Sequence, residues 1–210
     1  MAETPFKPDP NFLIPTSRLN ISCLFANSPT HCNFIVKLWN TEDFIKSCGK
    51  TGLDSPEKVS RFLQDRVYAD YARNGYGIFL VSLKPEPEAE ADSGLGEVGK
   101  LIGTVSLMKG EPPNGYALPD VGFAILPEES GKGYATEAGK AIIEWVKRSQ
   151  NLDGVFGFCN KDNVRSRRVL EKVGLEFHDI KKLRAFGGEE SAVFVDPGMT
   201  KDLKIYGLDD

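Results

Sequence analysis

The chain has 210 residues, 40% hydrophobic and 27% charged, with a formal net charge of −4. That length suits one domain with a sizeable core, and the mild acidity argues against a broad cationic footprint for nucleic acid. No apolar stretch is long enough for a signal peptide or a bilayer span, so a cytoplasmic protein with no membrane partner is expected.

Residues 1–15 read as an N-terminal extension, 16–200 as a single domain and 201–210 as a C-terminal tail. In chain order, "TSRLNISCLF" alternates Leu19, Ile21, Cys23 and Phe25 and predicts a first strand. Ser28 and Pro29 are an N-cap and a first helical residue, opening a helix that runs to Gly49. Ser55 and Pro56 repeat the device, with Val59, Phe62, Leu63, Val67 and Tyr71 on one face and Asn74-Gly75 as the stop. "GYGIFLVSL" and "GKLIGTVSLM" are β-rich runs joined by an acidic hairpin loop over 84–97. "DVGFAIL" is a short strand, and "GYATEAGKAIIEWVKRSQ" an amphipathic helix with Ala135, Ala138, Ile142 and Trp145 at helical spacing. "GVFGFC" is a strand, and "NVRSRRVLEKVG" a helix closed by Gly174 at C′. Two strands close the chain around Gly187-Gly188. The order β α α β β β α β α β β implies an α/β domain with a mixed sheet and helices on its faces. The cysteines Cys23, Cys32, Cys48 and Cys159 form no CxxC pair and no metal-ligand spacing with His31 or His178, so reduced, buried thiols and no metal are expected.

The stretch "LPEESGKGYATEA" sets two glycines around a lysine immediately before a helix. A phosphate-binding P-loop needs GxxxxGK followed by Ser or Thr, and this segment lacks both the earlier glycine and the hydroxyl. A dinucleotide fingerprint would take Gly131 and Gly133 but finds Thr136 at its third position, and three strands have already passed. An amide cradle for a diphosphate fits instead, since Gly131 and Gly133 let backbone N–H groups converge on the positive end of a helix.

This segment resembles the acyl-CoA-binding motif of the GCN5-related N-acetyltransferase (GNAT) superfamily. "NVRSRRVLEKVGLEF" is similar to its other signature, in the form found in the ribosomal-protein and N-terminal acetyltransferase branch. "TSRLNI" and "GYGIFLVSL" resemble the same branch, so the likeness runs from about Thr16 to Phe194. It implies a mostly antiparallel sheet with one splayed parallel strand pair, acetyl-CoA as co-substrate, and direct transfer of acetyl to an amine in a ternary complex.

Residue by residue, the resemblance places Phe123 and Ile125 beside the pantetheine arm and the acetyl carbonyl. It sets the diphosphate on Gly131, Lys132, Gly133, Tyr134, Ala135 and Thr136, and Asn163 on the pantetheine, against a reading of Asn163 as the plain N-cap of its helix and Ser166 as a small residue on a packed face. Ser130 departs from the motif, which often has Arg, Gln or Trp there, and Leu170 stands where many members carry a thiolate-protonating tyrosine; Ser166 or a water is left for that proton, or the thiolate leaves unassisted. Asp120, at the entry of the splayed strand, is the candidate base, against a reading as a turn residue after Pro119. Arg165, Arg167 and Arg168 are either solvated or set for the 3′-phosphate. Trp39, Tyr116 and Phe186 are candidate walls of the acceptor pocket, and also candidate core. The acceptor implied is a small-molecule amine or a protein N-terminus, and the chain a monomer or homodimer. The competing class is a non-catalytic acyl-CoA-binding sensor on the same fold.

Overall fold

The first strand after residue 16 keeps its predicted alternation, with Leu19, Ile21 and Cys23 buried and Asn20 and Ser22 half-buried. The computed structural model containing it describes residues 7–85, 99–110 and 115–208. A further strand precedes it: β1 (Leu13–Pro15) pairs antiparallel with β2 (Leu19–Cys23), so part of the expected N-terminal extension is sheet. Phe12, just before β1, stacks on Phe79 and meets Trp145 edge-on, each at 5.3 Å between centroids.

The helix expected from Pro29 to Gly49 is two helices. Ser28 caps α1 (Pro29–Trp39) by accepting from the His31 amide, and the helix stops at Asn40. Thr41 then caps α2 (Glu42–Cys48) by accepting from the Phe44 amide, with Glu42 and Asp43 in the first turn. The capping hydroxyl and the two acids form a helix-start signal inside what looked like one apolar run. Cys48, at the end of α2, is exposed, unlike the buried Cys23 and Cys32.

The next helical run is α3 (Pro56–Phe62), a π-helical turn (Leu63–Val67) and α4 (Tyr68–Asn74), closed by Gly75 in the left-handed region. Val59, Leu63, Val67 and Tyr71 recur every four residues, which in an ideal α-helix drifts about 40° per step. The wider π turn absorbs that drift, and all four side chains stay buried.

The rest is β3 (Ile78–Leu83), β4 (Leu101–Met108), β5 (Asp120–Ile125), α5 (Tyr134–Gln150), β6 (Phe156–Asn160), α6 (Val164–Lys172), β7 (Glu176–Lys182) and β8 (Glu190–Val195). The described strands form one sheet in the order β1-β2-β3-β4-β5-β6-β8-β7, antiparallel except between β5 and β6. Consecutive residues of β3 and of β4 are buried, as expected where both faces of a sheet are covered. Residues 86–98, which take in most of the acidic hairpin loop expected over 84–97, lie outside the described residues, as do 111–114.

The core divides into two clusters, and β8 feeds both. Ala192 and Phe194 join the main one, which includes α5 through Ala138, Ile142 and Val146. Val193 and Val195 point the other way, into a smaller cluster with Tyr116, Phe156, Leu183, Leu203 and Leu208. The expected tail is part of that second core: Leu203–Tyr206 forms a 3-10 turn, and the Tyr206 carbonyl accepts from the Ala117 amide at 2.8 Å.

Candidate active site

Strands β5 and β6 meet at a single register pair, Asp120 with Phe156, where the Phe156 amide donates to the Pro119 carbonyl at 2.8 Å. Beyond it β5 continues along β4 to Ile125, while β6 follows β8, and a gap opens between them. Successive strand residues turn their N–H and C=O groups to opposite edges. The Leu126 amide points to β4, donating to the Ile102 carbonyl, whereas the Pro119 carbonyl points to β6. By that alternation the N–H and C=O groups of Val121, Phe123 and Ile125 face the gap. The Phe123 and Ile125 side chains are half-buried.

The glycine loop stands at the far end of β5. Gly131 and Gly133 have φ of 80° and 85°, and Gly133 is the N-cap of α5 without a capping side chain. The backbone amides from Gly131 to Thr136 have no acceptor among the described residues, nor has the Thr136 hydroxyl a partner. They crowd at the positive end of a 17-residue helix, the arrangement that binds an anion. The Lys132 ammonium lies 2.7 Å from Glu129. Glu129 is buried and also pairs with Lys100, and the hydrogen bonds from both lysines hold its carboxyl below the usual range.

Asn163 caps α6, accepting from the Ser166 amide at 3.1 Å, and its Nδ2 donates to Ser47 Oγ at 3.4 Å. Ser166 is half-buried and Leu170 is buried. Arg165 pairs with Asp43 of α2 at 3.1 Å, and Arg167 lies over the Phe177 ring.

At the closed end of the gap the Tyr116 hydroxyl donates to Asp120 Oδ1. Burial raises the Asp120 carboxyl to about 6, against the opposing hydrogen bonds from Tyr116 and from its own backbone. Burial, and then the Asp120 charge, push the Tyr116 hydroxyl well above its ordinary range. Tyr76 is raised to about 12 by burial first and then by the Asp120 and Asp70 carboxylates. A half-buried acid with its pKa near neutrality, beside an open strand edge, can act as a base on an ammonium.

The ring of Tyr116 lies 5.7 Å from Phe158 and 6.4 Å from Phe186, so two of the three expected pocket walls come together. Trp39 does not join them. It stacks on Phe44 at 5.5 Å in the main core, and its buried Nε1 has no partner among the described residues. Among the described residues no hydrogen bond joins Asp120 to Ser166.

Sequence reasoning missed Arg18 and Glu137. Glu137 accepts from Thr16 Oγ1 at 2.6 Å, Ser17 Oγ at 2.9 Å, the Arg18 amide at 2.8 Å and Arg18 Nε at 2.7 Å. Burial acts to raise its carboxyl, but these hydrogen bonds outweigh it and hold the pKa at about 2. The available signal was an acid in the first turn of a helix whose cap residue has no side chain.

The acetyltransferase (GNAT) domain model matches residues 25–176. The chain belongs to the GNAT family. The uncharacterized N-acetyltransferase YnaD of Bacillus subtilis is 36% identical over 56 residues, 27% of this chain and 33% of that protein. The chain spans about a third of the length of the curated relatives it matches. Among solved structures, the ribosomal-protein-S5-alanine acetyltransferase of Vibrio fischeri superposes with a TM-score of 0.66 at 18% identity, covering 92% of this chain and 99% of that one. RimL, a ribosomal L7/L12 alpha-N-protein acetyltransferase solved in complex with coenzyme A, gives 0.66 at 15% identity, covering 88% and 97%. These likenesses establish the GNAT fold, with its mostly antiparallel sheet and one parallel pair. No helix among the described residues is long and apolar enough to cross a membrane.

Proposed function

We propose that the protein is an acetyl-CoA-dependent N-acetyltransferase that passes acetyl directly to an amine, a protein N-terminus or a small molecule, in a ternary complex. The observation that carries this reading is the gap between β5 and β6, leading to a loop whose amides lack acceptors. An extended chain with amides along its length and a diphosphate at its end matches both parts. RimL, which shares the fold, was solved with coenzyme A bound.

On this reading acetyl-CoA supplies an acetyl thioester, and the protein supplies four things. The gap-facing groups of Phe123 and Ile125 hold the pantetheine as a missing strand would, and an amide there steadies the oxyanion that forms at the thioester carbonyl. The amides from Gly131 to Thr136 hold the diphosphate. Asp120 takes a proton from the acceptor ammonium through the oxygen that Tyr116 leaves free, making the nitrogen nucleophilic. The amine nitrogen then bonds to the acetyl carbon and the carbon–sulfur bond breaks; the second proton that the nitrogen sheds passes through Ser166 or a water to the leaving sulfur, and Asp120 releases the first to solvent.

A non-catalytic acyl-CoA sensor is favoured by one observation, the buried Leu170 in place of a hydroxyl-bearing residue. Both readings are tested by titrating acetyl-CoA and a nicotinamide dinucleotide calorimetrically, then following thiol release with a panel of amines. Acetyl-CoA should bind and the dinucleotide should not. Asp120→Asn should lower kcat about 100-fold while leaving acetyl-CoA affinity unchanged. Binding without thiol release from any amine establishes the sensor, and equal turnover by the Asn variant at every pH removes Asp120 from the chemistry.

A further inference from the structure

Arg18, in the turn between β1 and β2, touches the glycine loop at several points. Its Nη1 donates to the Lys132 carbonyl at 3.0 Å, and its guanidinium lies 4.6 Å from the centre of the Tyr134 ring. Its Nε and Nη2 both reach Glu137 Oε2 at 2.7 Å. A Cβ built on Gly133 would lie 3.5 Å from Nη2. Glu137 is itself fixed by Thr16, Ser17 and the Arg18 amide, so the guanidinium is anchored from both sides.

From this geometry we infer that Arg18 is a positioning residue for the diphosphate cradle, acting on the Gly133 amide. The inference rests on the reading of this loop as an acyl-CoA cradle. In a trans peptide the C=O and N–H groups point in opposite directions. Holding the Lys132 carbonyl on Arg18 therefore turns the Gly133 N–H away from Arg18, and that N–H, like those of the first turn, has no acceptor among the described residues. Gly133, with φ of 85°, has no side chain to hold that peptide plane, and the helix start has no capping side chain to do so either. The Arg18 charge is largely spent on Glu137, so its role is to orient the loop rather than to bind phosphate as a free cation. The pair with Glu137 fixes where the guanidinium sits, and the stacked Tyr134 ring fixes the first residue of α5.

The test compares two acetyl donors that differ in the diphosphate: acetyl-CoA, and S-acetylpantetheine, which lacks it. Wild type should show a far lower KM for acetyl-CoA, and equal KM values would take down the cradle reading and this inference together. Given that preference, Arg18→Met, which keeps the aliphatic cover on Tyr134, should raise the KM for acetyl-CoA about tenfold and leave kcat within about twofold. It should leave the KM for S-acetylpantetheine unchanged. Arg18→Lys, which keeps one donor and the charge, should fall between them, and it supplies the same ratio if the Met variant does not fold. A parallel rise for both donors would mark a general loss of order, and no rise for acetyl-CoA would mean the loop holds its shape unaided; either result overturns the inference.

Discussion

Burial and hydrogen bonding act on Asp120 in opposite directions, and the balance sets the pH at which the proposed base is ionised. Burial raises its carboxyl to about 6, while the Tyr116 hydroxyl favours the charged form. The proposed chemistry needs the carboxylate, so the rate should fall as pH drops through that value. Tyr116→Phe removes a donor to the ionised form, and the Asp120 pKa must then rise. The acid limb of kcat/KM should move up by about one pH unit, with activity recovering at higher pH. A pH profile superposable on wild type would show that Tyr116 only fills space. Asp120 was legible as an acid where a strand begins after Pro119. Tyr116 was legible only as an aromatic wall, because the direction of its hydroxyl depends on how the β4–β5 connection returns to the sheet.

Helix α5 is held at its N-terminus by chain far away in sequence, and the strength of that hold depends on Glu137. Its pKa in the folded protein, about 2, lies below the ordinary glutamate value. The stabilisation is therefore present above the unfolded value of about 4.3 and is lost as pH falls toward 2. Glu137→Gln should destabilise the protein by about 1–2 kcal/mol at pH 7, and the difference from wild type should shrink steadily below pH 4. Chemical denaturation at the two pH values reads it directly, and a pH-independent difference would assign the loss to packing. Elements elsewhere show where pattern reading reached its limit. The caps at Ser28 and Ser55 are side chains bonding within one turn, so they were visible in the sequence. The split at Asn40 and Thr41 carries the same local signal, since Thr41 caps within one turn, but one continuous apolar pattern around it masks that signal; Asn40 also donates to the Leu53 carbonyl at 2.9 Å, a partner 13 residues away.

Over the whole molecule, the second core cluster joins the closed end of the gap to the C-terminal segment. The Tyr206 ring meets Phe156 edge-on at 5.3 Å, and its carbonyl holds the Ala117 amide between Tyr116 and Asp120. A chain ending at Met199 should lose about 10- to 100-fold in kcat, because the proposed base is no longer held in place. Its acetyl-CoA affinity should stay within about twofold, since the cradle stands at the other end of β5. A parallel fall in both would show that the segment supports the whole sheet. The sequence by itself determined the order of most elements, the glycine loop before α5, the Asn163 cap of α6 and the GNAT resemblance, because each depends on residues a few positions apart. Tertiary structure alone decided the point at which β5 parts from β6, the bracing of the loop by Arg18 and Glu137, the Tyr116–Asp120 contact and the docking of the C-terminal turn. In each of these the partners lie far apart in the sequence or face each other through side-chain directions that only packing sets, and no local spacing encodes such a meeting.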